Sequence, residues 1–206
     1  RGEVLGLRWK GYRRVWRSMG GPVRARAEAA GCATLAEYLE RLVVDAAERE
    51  QARVALSVTA SRFYRGVRTF EAVCDEVLAW PAGEVRAWSA GCASGEEPYS
   101  LALTWRERVL AARPDLPLSI VATDVCDEAL ERARRGVYSA SSVRGVPESM
   151  RARWFERVPG GWRIAAAIRE RVAVRRHDLL VDAPPRAMSI VFCRNWGTLM
   201  RASFMV

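Results

Sequence analysis

Strand-like and helix-like segments alternate along the chain after residue 80, and this alternation limits the possible folds more than any other feature of the sequence. The segments are, in order, the strand "VRAWSA", the helix "EEPYSLALTWRERVLAA", the strand "LSIVAT", the helix "DEALERARRG", and the strands "RVAVRR" and "MSIVFC". Strand and helix patterns at this spacing predict βαβ units with parallel strands. The sequence therefore predicts an α/β domain over residues 81–206.

The first part of the chain, residues 1–56, has only helical patterns. Thr34 and Glu37 form a capping-box sequence, and apolar residues recur behind it at helical spacing. The Gly-Gly-Pro sequence at residues 20–22 is expected to break an earlier helix. These patterns predict a small all-helical domain over residues 1–56, followed by a linking segment over residues 57–80.

An insertion interrupts the alternation between residues 137 and 170. The segment "PESMRARWFERV" is expected to form one helix, because Met150, Trp154 and Val158 lie on one stripe. The segment "GGWRIAAAI" is expected to be a turn that leads into an extended stretch. We interpret this region as a small β-subdomain inserted into the main domain.

The cysteines and the apolar segments exclude several classes of protein. The five cysteines are scattered and have no C-x-x-C spacing, which argues against a disulfide framework and a zinc site, so no metal is expected. No apolar run approaches the ~20 residues of a membrane span, and the N-terminus lacks an apolar signal core. We therefore expect a cytoplasmic protein that is not itself inserted in a membrane.

The chain carries a formal net charge of +9, and nearly all of its positive charge comes from arginine. Residues 1–30 hold eight basic and two acidic residues, a local excess of six. Such a segment fits an acidic partner, or it is a solvated helical face, and both interpretations stay open. Nucleic acid is not an expected partner, because the basic segment lacks the interleaved exposed aromatic residues of a recognised binding module.

The segment "AGCASGEEPYS", residues 90–100, joins the first predicted strand to the helix that follows it. Gly91 and Gly95 allow the backbone to approach a ligand closely, and parallel sheets bind ligands outside the carboxyl ends of their strands. Asp124 ends the second strand, where a carboxylate can accept hydrogen bonds from both hydroxyls of a ribose. Glu97 either contributes to this site or completes a capping box with Ser94.

The ligand expected at this turn is a nucleoside without phosphates. The turn has neither the G-x-G-x-x-G spacing of a dinucleotide site nor the G-x-x-x-x-G-K-[ST] pattern of a phosphate-binding loop. S-adenosylmethionine is the obvious candidate for such a ligand.

Four segments together resemble the chemotaxis receptor methyltransferases of the CheR type. They are "WSAGCASGEEPYSLAL", "ATDVCDEALERARRGVY", "HDLL" and "FCRNW". In addition "SVTASRFYR", residues 57–65, is similar to the segment of that family that ends in Phe-Phe-Arg. The resemblance covers nearly the whole chain. It implies a Rossmann-like methyltransferase domain with a helical N-terminal domain and an inserted β-subdomain.

The resemblance also implies a reaction and a set of site residues. In this family S-adenosylmethionine donates a methyl group to glutamate side chains in the cytoplasmic region of methyl-accepting chemotaxis receptors. A carboxylate acceptor is already ionised near neutral pH, so no general base is required. Arg65 is the predicted catalytic residue, which pairs with the substrate carboxylate. The candidate cofactor-binding residues are Thr59, Ser61, Arg65, Gly91, Glu97, Asp124, Asp178, Leu179, Arg194 and Asn195.

The sequence departs from the family pattern in several places. Leu199 stands at the first position of a usual Tyr-Phe pair, and Asp178 stands where asparagine is usual. The chain stops at Val206, before the last helix, strand and hairpin of such a domain, so we expect a truncated C-terminal part. The short turn "VPGGW" leads us to expect no tethering to a receptor tail. A CheR-like methyltransferase with another substrate, and a module that binds S-adenosylmethionine without turnover, remain as alternatives.

Overall fold

The computed structural model describes residues 16–55 and 61–193. The first range belongs to one compact unit and the second range belongs to another. The predicted divisions at residues 56 and 80, and the predicted bounds of the insertion at 137 and 170, remain predictions. The expected truncation at Val206 and the departure at Leu199 lie outside the described residues.

The described part of the first unit, residues 16–55, forms three helices. They are α1 (Trp16–Ala29), α2 (Leu35–Val44) and α3 (Ala46–Ala55). At the start of α2 the Thr34 hydroxyl accepts a hydrogen bond from the Glu37 backbone N–H at 3.2 Å, as the capping-box sequence predicts. The Glu37 carboxylate accepts the N–H of Ala33 at 2.8 Å, one residue earlier than in the usual motif. The helices bury a small core that is formed by Ala27, Tyr38, Leu42 and Ala52.

The predicted break at residues 20–22 is wrong, because α1 runs through Gly20, Gly21 and Pro22 without interruption. Proline removes one backbone donor, but its fixed φ is compatible with a helix. The residue before a proline normally avoids helical backbone angles because its Cβ meets the proline ring. Gly21 has no Cβ, so this clash is reduced and the helix continues.

A largely buried ion pair joins the three helices of the first unit. Arg26 of α1 donates to both carboxylate oxygens of Glu48 in α3, and the shorter contact measures 2.5 Å. The Tyr38 hydroxyl of α2 donates to the same carboxylate at 2.8 Å. The guanidinium of Arg26 lowers the pKa of Glu48, so the carboxylate keeps its charge although it is only 5% exposed.

The second unit is an α/β domain with a parallel sheet. Its elements are α4 (Val67–Val77), β1 (Val85–Ala90), α5 (Glu96–Ala112), β2 (Leu118–Asp124), α6 (Asp127–Arg135), β3 (Val137–Tyr138), α7 (Glu148–Trp154), β4 (Phe155–Val158), β5 (Gly161–Ile164), α8 (Ala166–Arg169), β6 (Val172–Arg176) and β7 (Ile190–Phe192). The main sheet has the strand order β6-β2-β1-β7, and every neighbouring pair is parallel. The predicted α/β class is confirmed. Because the strands are parallel, the carboxyl ends of β1, β2 and β6 lie together at one edge of the sheet, the carboxyl edge.

A second sheet lies in the region of the predicted insertion and has the antiparallel order β3-β5-β4. The prediction of a single helix over residues 147–158 is wrong, since α7 ends at Trp154 and β4 follows directly. In β4 Phe155 pairs with Ile164 and becomes buried. Pairing with a strand that lies later in the chain thus overrides the helical periodicity of this segment.

Helix α5 is the central helix of the second unit. Every residue from Glu96 to Trp105 is buried, including both glutamates of its first turn. None of the helices in residues 16–55 and 61–193 combines the length and the apolar character that a membrane crossing requires.

Candidate functional site

The turn between β1 and α5 is hydrogen-bonded to the end of β2. The backbone N–H groups of Gly91 and Cys92 both donate to the carbonyl oxygen of Thr123, each at 2.8 Å. Gly91, Ala93 and Gly95 have positive φ angles of 76°, 49° and 91°. Two of these three positions are therefore glycines for conformational reasons, and Ala93 adopts a conformation that non-glycine residues rarely take.

Gly95 is the residue that determines where α5 begins. It is the N-cap of the helix, in the left-handed conformation and without a side-chain cap. The alternative interpretation of Glu97, a capping box with Ser94, is wrong, because the helix starts one residue later than that motif requires. The Glu97 carboxylate instead accepts a hydrogen bond from the Ser89 hydroxyl at 2.8 Å and is only 6% exposed. Glu97 therefore points back toward β1.

The Asp124 carboxylate links the turn between β1 and α5 to the loop between β2 and α6. One oxygen accepts the N–H of Ala93 at 2.9 Å, and the other accepts the N–H of Cys126 at 3.0 Å. The residue is half-buried, and each carboxylate oxygen can accept a second hydrogen bond. The same group thus fixes the turn of residues 91–95, which we call the glycine turn, and offers two acceptor positions to a diol.

The "HDLL" segment lies next to Asp124. The backbone N–H of His177 donates to the Asp124 carbonyl oxygen at 3.0 Å, which places Asp178 and Leu179 beside the end of β2. The Asp178 carboxylate accepts the N–H of Leu180 at 2.9 Å. This carboxylate therefore stabilises its own turn, and Leu179 is half-buried at the same edge of the sheet.

The linking segment is attached beside the beginning of α5. The N–H of Tyr64 donates to the Ser100 hydroxyl at 2.9 Å, and the N–H of Phe63 donates to the Ser142 carbonyl oxygen at 3.1 Å. Ser61 is half-buried and Arg65 is exposed on either side of this anchored pair.

The structure brings one group of predicted site residues together at the carboxyl edge of the sheet, and these are Gly91, Glu97, Asp124, Asp178 and Leu179. Ser61 and Arg65 lie on the linking segment, and Thr59, Arg194 and Asn195 lie outside the described residues. The assignment of these residues to cofactor binding remains a prediction. Sequence reasoning missed Ser89, although a hydroxyl within the otherwise apolar end of β1 was a signal that it meets a polar partner.

The buried carboxylate of Glu96 is only partly satisfied by hydrogen bonds. One of its oxygens accepts the Ser142 hydroxyl at 2.9 Å, whereas the other is buried and has no described partner. Burial raises the pKa of Glu96 above its ordinary value of 4.5. The folded protein therefore favours the neutral carboxyl group, and stability is lost as the pH rises from 4.5 through the raised pKa.

Replacing Glu96 with glutamine should remove this pH dependence, because glutamine cannot ionise. As the pH rises from acidic to mildly alkaline, we expect the free energy of unfolding of Glu96→Gln to increase by about 1 kcal/mol relative to that of the wild type. Denaturant unfolding of both proteins across this range measures the difference. Glu148→Gln, a change at an exposed glutamate, is the matched control, and an unchanging difference for Glu96→Gln would contradict the prediction.

Comparison with protein-family models decides to which family the chain is related. The model described as "CheR methyltransferase, SAM binding domain" matches residues 59–202. The chain belongs to the CheR methyltransferase family. The predicted family resemblance is confirmed, and so is the predicted cofactor, because the matched domain is the one that binds S-adenosylmethionine.

Individual relatives show moderate identity to this chain. A chemotaxis protein methyltransferase of Listeria monocytogenes is 31% identical over 79% of this chain and 62% of its own length. Chemotaxis protein methyltransferase 2 of Vibrio cholerae is 33% identical over 68% of this chain and 52% of its own length. An uncharacterised 104.1 kDa protein of Rhodobacter capsulatus is 34% identical over 78% of this chain and 18% of its own length. The chain thus spans less than two thirds of each relative.

The described residues of this CheR-family chain offer carboxylates and accessible backbone of the kind that S-adenosylmethionine requires. The cofactor carries a positive sulfonium and an ammonium group, and Glu97, Asp124 and Asp178 supply carboxylates around the turn. Gly91 is exposed, and no described atom lies within 4 Å of the position that a Cβ would take there. A ligand can therefore approach this part of the backbone closely.

Proposed function

We propose that this chain transfers a methyl group from S-adenosylmethionine to glutamate carboxylates of chemoreceptors in the cytoplasm. The observation that carries the proposal is the arrangement of Asp124, a half-buried carboxylate that is bonded to the glycine turn at the carboxyl edge of a parallel sheet. Membership of the CheR family supports S-adenosylmethionine as the methyl donor. The names of the Listeria and Vibrio relatives support a role in chemotaxis.

The roles that we propose for individual side chains follow from their charge and position. Asp124 accepts hydrogen bonds from the ribose hydroxyls, and Glu97 adds negative charge beside the cationic cofactor. Arg65, which is exposed on the linking segment, holds the acceptor carboxylate in a bidentate pair. The bound cofactor supplies an electrophilic methyl group on its sulfonium.

Orientation accounts for the rate in this proposal. The acceptor glutamate is ionised near neutral pH, so the chain needs no histidine or cysteine to activate it. Holding two reactants in line can contribute roughly 7–11 kcal/mol toward the barrier. The arginine-rich segment at residues 1–30 would attract the acidic surface of a receptor, and this part of the proposal rests on charge alone.

Methyl transfer is tested with radiolabelled S-adenosylmethionine and the purified cytoplasmic fragment of a chemoreceptor. We expect a methyl ester on glutamate, detected by mass spectrometry. Arg65→Lys should lower kcat/KM about tenfold, because lysine cannot form the bidentate pair, whereas Arg68→Lys in α4 should leave it unchanged. Binding of S-adenosylhomocysteine without methylation would reject the receptor substrate. It would favour either a methyltransferase with another substrate or a module that binds S-adenosylmethionine without turnover. Absence of binding would reject the nucleoside site as well.

A further inference from the structure

The glycine turn receives a hydrogen bond from the antiparallel sheet. Tyr138 is the last residue of β3, and its hydroxyl donates to the carbonyl oxygen of Ser94 at 2.8 Å. Both residues are buried, with 4% and 6% of their surface exposed. Burial raises the pKa of Tyr138 well above its usual range, so the hydroxyl remains protonated and donates at every ordinary pH.

The turn is packed against Tyr138 without free space. A Cβ placed on Gly95 would stand 3.1 Å from the Tyr138 hydroxyl oxygen and 3.0 Å from the ring of Tyr99. Contacts between carbon atoms normally begin near 3.5 Å. The peptide that follows Ser94 therefore lies directly on Tyr138, and this peptide leads into the N-cap of α5.

The other side of Tyr138 faces the linking segment. The ring of Phe63 packs edge-on against the ring of Tyr138, with centroids 4.8 Å apart. The backbone N–H of Phe63 also donates a hydrogen bond to the Ser142 carbonyl oxygen, and the Ser142 hydroxyl donates to the Glu96 carboxylate at the start of α5. Tyr138 thus touches two of the segments from which predicted cofactor-binding residues come, the glycine turn and the linking segment.

We propose that Tyr138 is a positioning residue for the nucleoside site, although it contacts the turn from beneath and supplies no predicted ligand contact of its own. Its hydroxyl holds the Ser94 carbonyl group and thereby the conformation of residues 91–95, in which Ala93 has an unfavourable positive φ. Such a conformation persists only when surrounding contacts determine it. The inference rests on the proposed function for the identity of the ligand.

The chain offers a matched control in Tyr99. This tyrosine is 1% exposed, and its hydroxyl donates to the Ala133 carbonyl oxygen of α6 at 2.9 Å. Tyr138→Phe and Tyr99→Phe therefore each remove one buried hydroxyl that is bonded to one backbone carbonyl group. The first change removes the hydrogen bond to the glycine turn, and the second removes a hydrogen bond to helix α6. A purely structural role of Tyr138 would make the two variants behave alike.

Calorimetric titration with S-adenosylhomocysteine and hydrogen exchange of the ligand-free proteins together test the inference. We expect similar unfolding temperatures for both variants, a Kd for S-adenosylhomocysteine that rises about five- to tenfold in Tyr138→Phe, and a change of less than about twofold in Tyr99→Phe. Amides of residues 91–95 should exchange faster in Tyr138→Phe alone. Equal Kd values and equal exchange in the two variants would overturn the inference. If the wild type binds no S-adenosylhomocysteine, the proposed function fails, and the exchange measurement still decides whether Tyr138 holds the turn.

Discussion

Replacing Gly161 with alanine is expected to lower the free energy of unfolding of the second unit by about 3–5 kcal/mol. Gly161 begins β5 with a φ of 146°, a region that residues with a side chain rarely adopt. A Cβ at this position would stand 2.1 Å from the carbonyl oxygen of Tyr138. The backbone strain and the steric overlap add to each other, because neither is relieved unless β5 moves away from β3. Denaturant unfolding measures the loss.

The preceding residue provides a control in the same turn. Gly160 also has a positive φ, 88°, but no described atom lies within 4 Å of the position that its Cβ would take. Gly160→Ala should therefore lose only about 1–2 kcal/mol, the cost of the left-handed conformation. Equal losses in the two variants would show that the close approach to Tyr138 has no energetic effect. Because Gly161→Ala pushes on Tyr138, we also expect faster hydrogen exchange in the glycine turn of this variant.

Asp124→Asn is expected to weaken the binding of S-adenosylhomocysteine about 10- to 100-fold. Asparagine keeps the size of the side chain but offers one acceptor oxygen where the carboxylate offers two. Its amide NH2 would then face the N–H of either Ala93 or Cys126, both of which now donate to the carboxylate. The variant therefore loses charged hydrogen bonds to the ribose and one of the two contacts that fix the loops. Isothermal titration calorimetry measures the change in Kd.

Asp127→Asn is the appropriate comparison for Asp124→Asn. Asp127 lies three residues later, in the first turn of α6, and its exposed carboxylate stands 3.7 Å from the guanidinium of Arg176. Exposed ion pairs of this kind contribute little, so we expect a Kd within about twofold of the wild type and little change in stability. Unaltered affinity of Asp124→Asn, in a protein that remains folded by circular dichroism, would remove Asp124 from the proposed site.

The sequence by itself determined the elements whose signals are local. The helix α5 and the strands β1 and β2 lie within a residue of their predicted bounds, because hydrophobic periodicity and glycine positions act over a few neighbouring residues. Gly136 ends α6 in the left-handed conformation, as its position after the helical pattern indicates. Asp124 was also identified correctly as a strand-end carboxylate, since the end of β2 is visible in the pattern.

Only the tertiary structure decided the features that depend on distant residues. The strand β4 replaces the last four residues of a predicted helix because Phe155 pairs with Ile164. The alternative capping box of Ser94 and Glu97 does not form, because α5 begins one residue later and Glu97 accepts a hydrogen bond from Ser89 on β1. Tyr138 reaches Ser94 across 44 positions of the chain. Propensities and spacings describe interactions between near neighbours, whereas these contacts form only when separate elements pack together. The positions of the site residues were therefore predictable in part, and the contacts that hold the glycine turn in place were not.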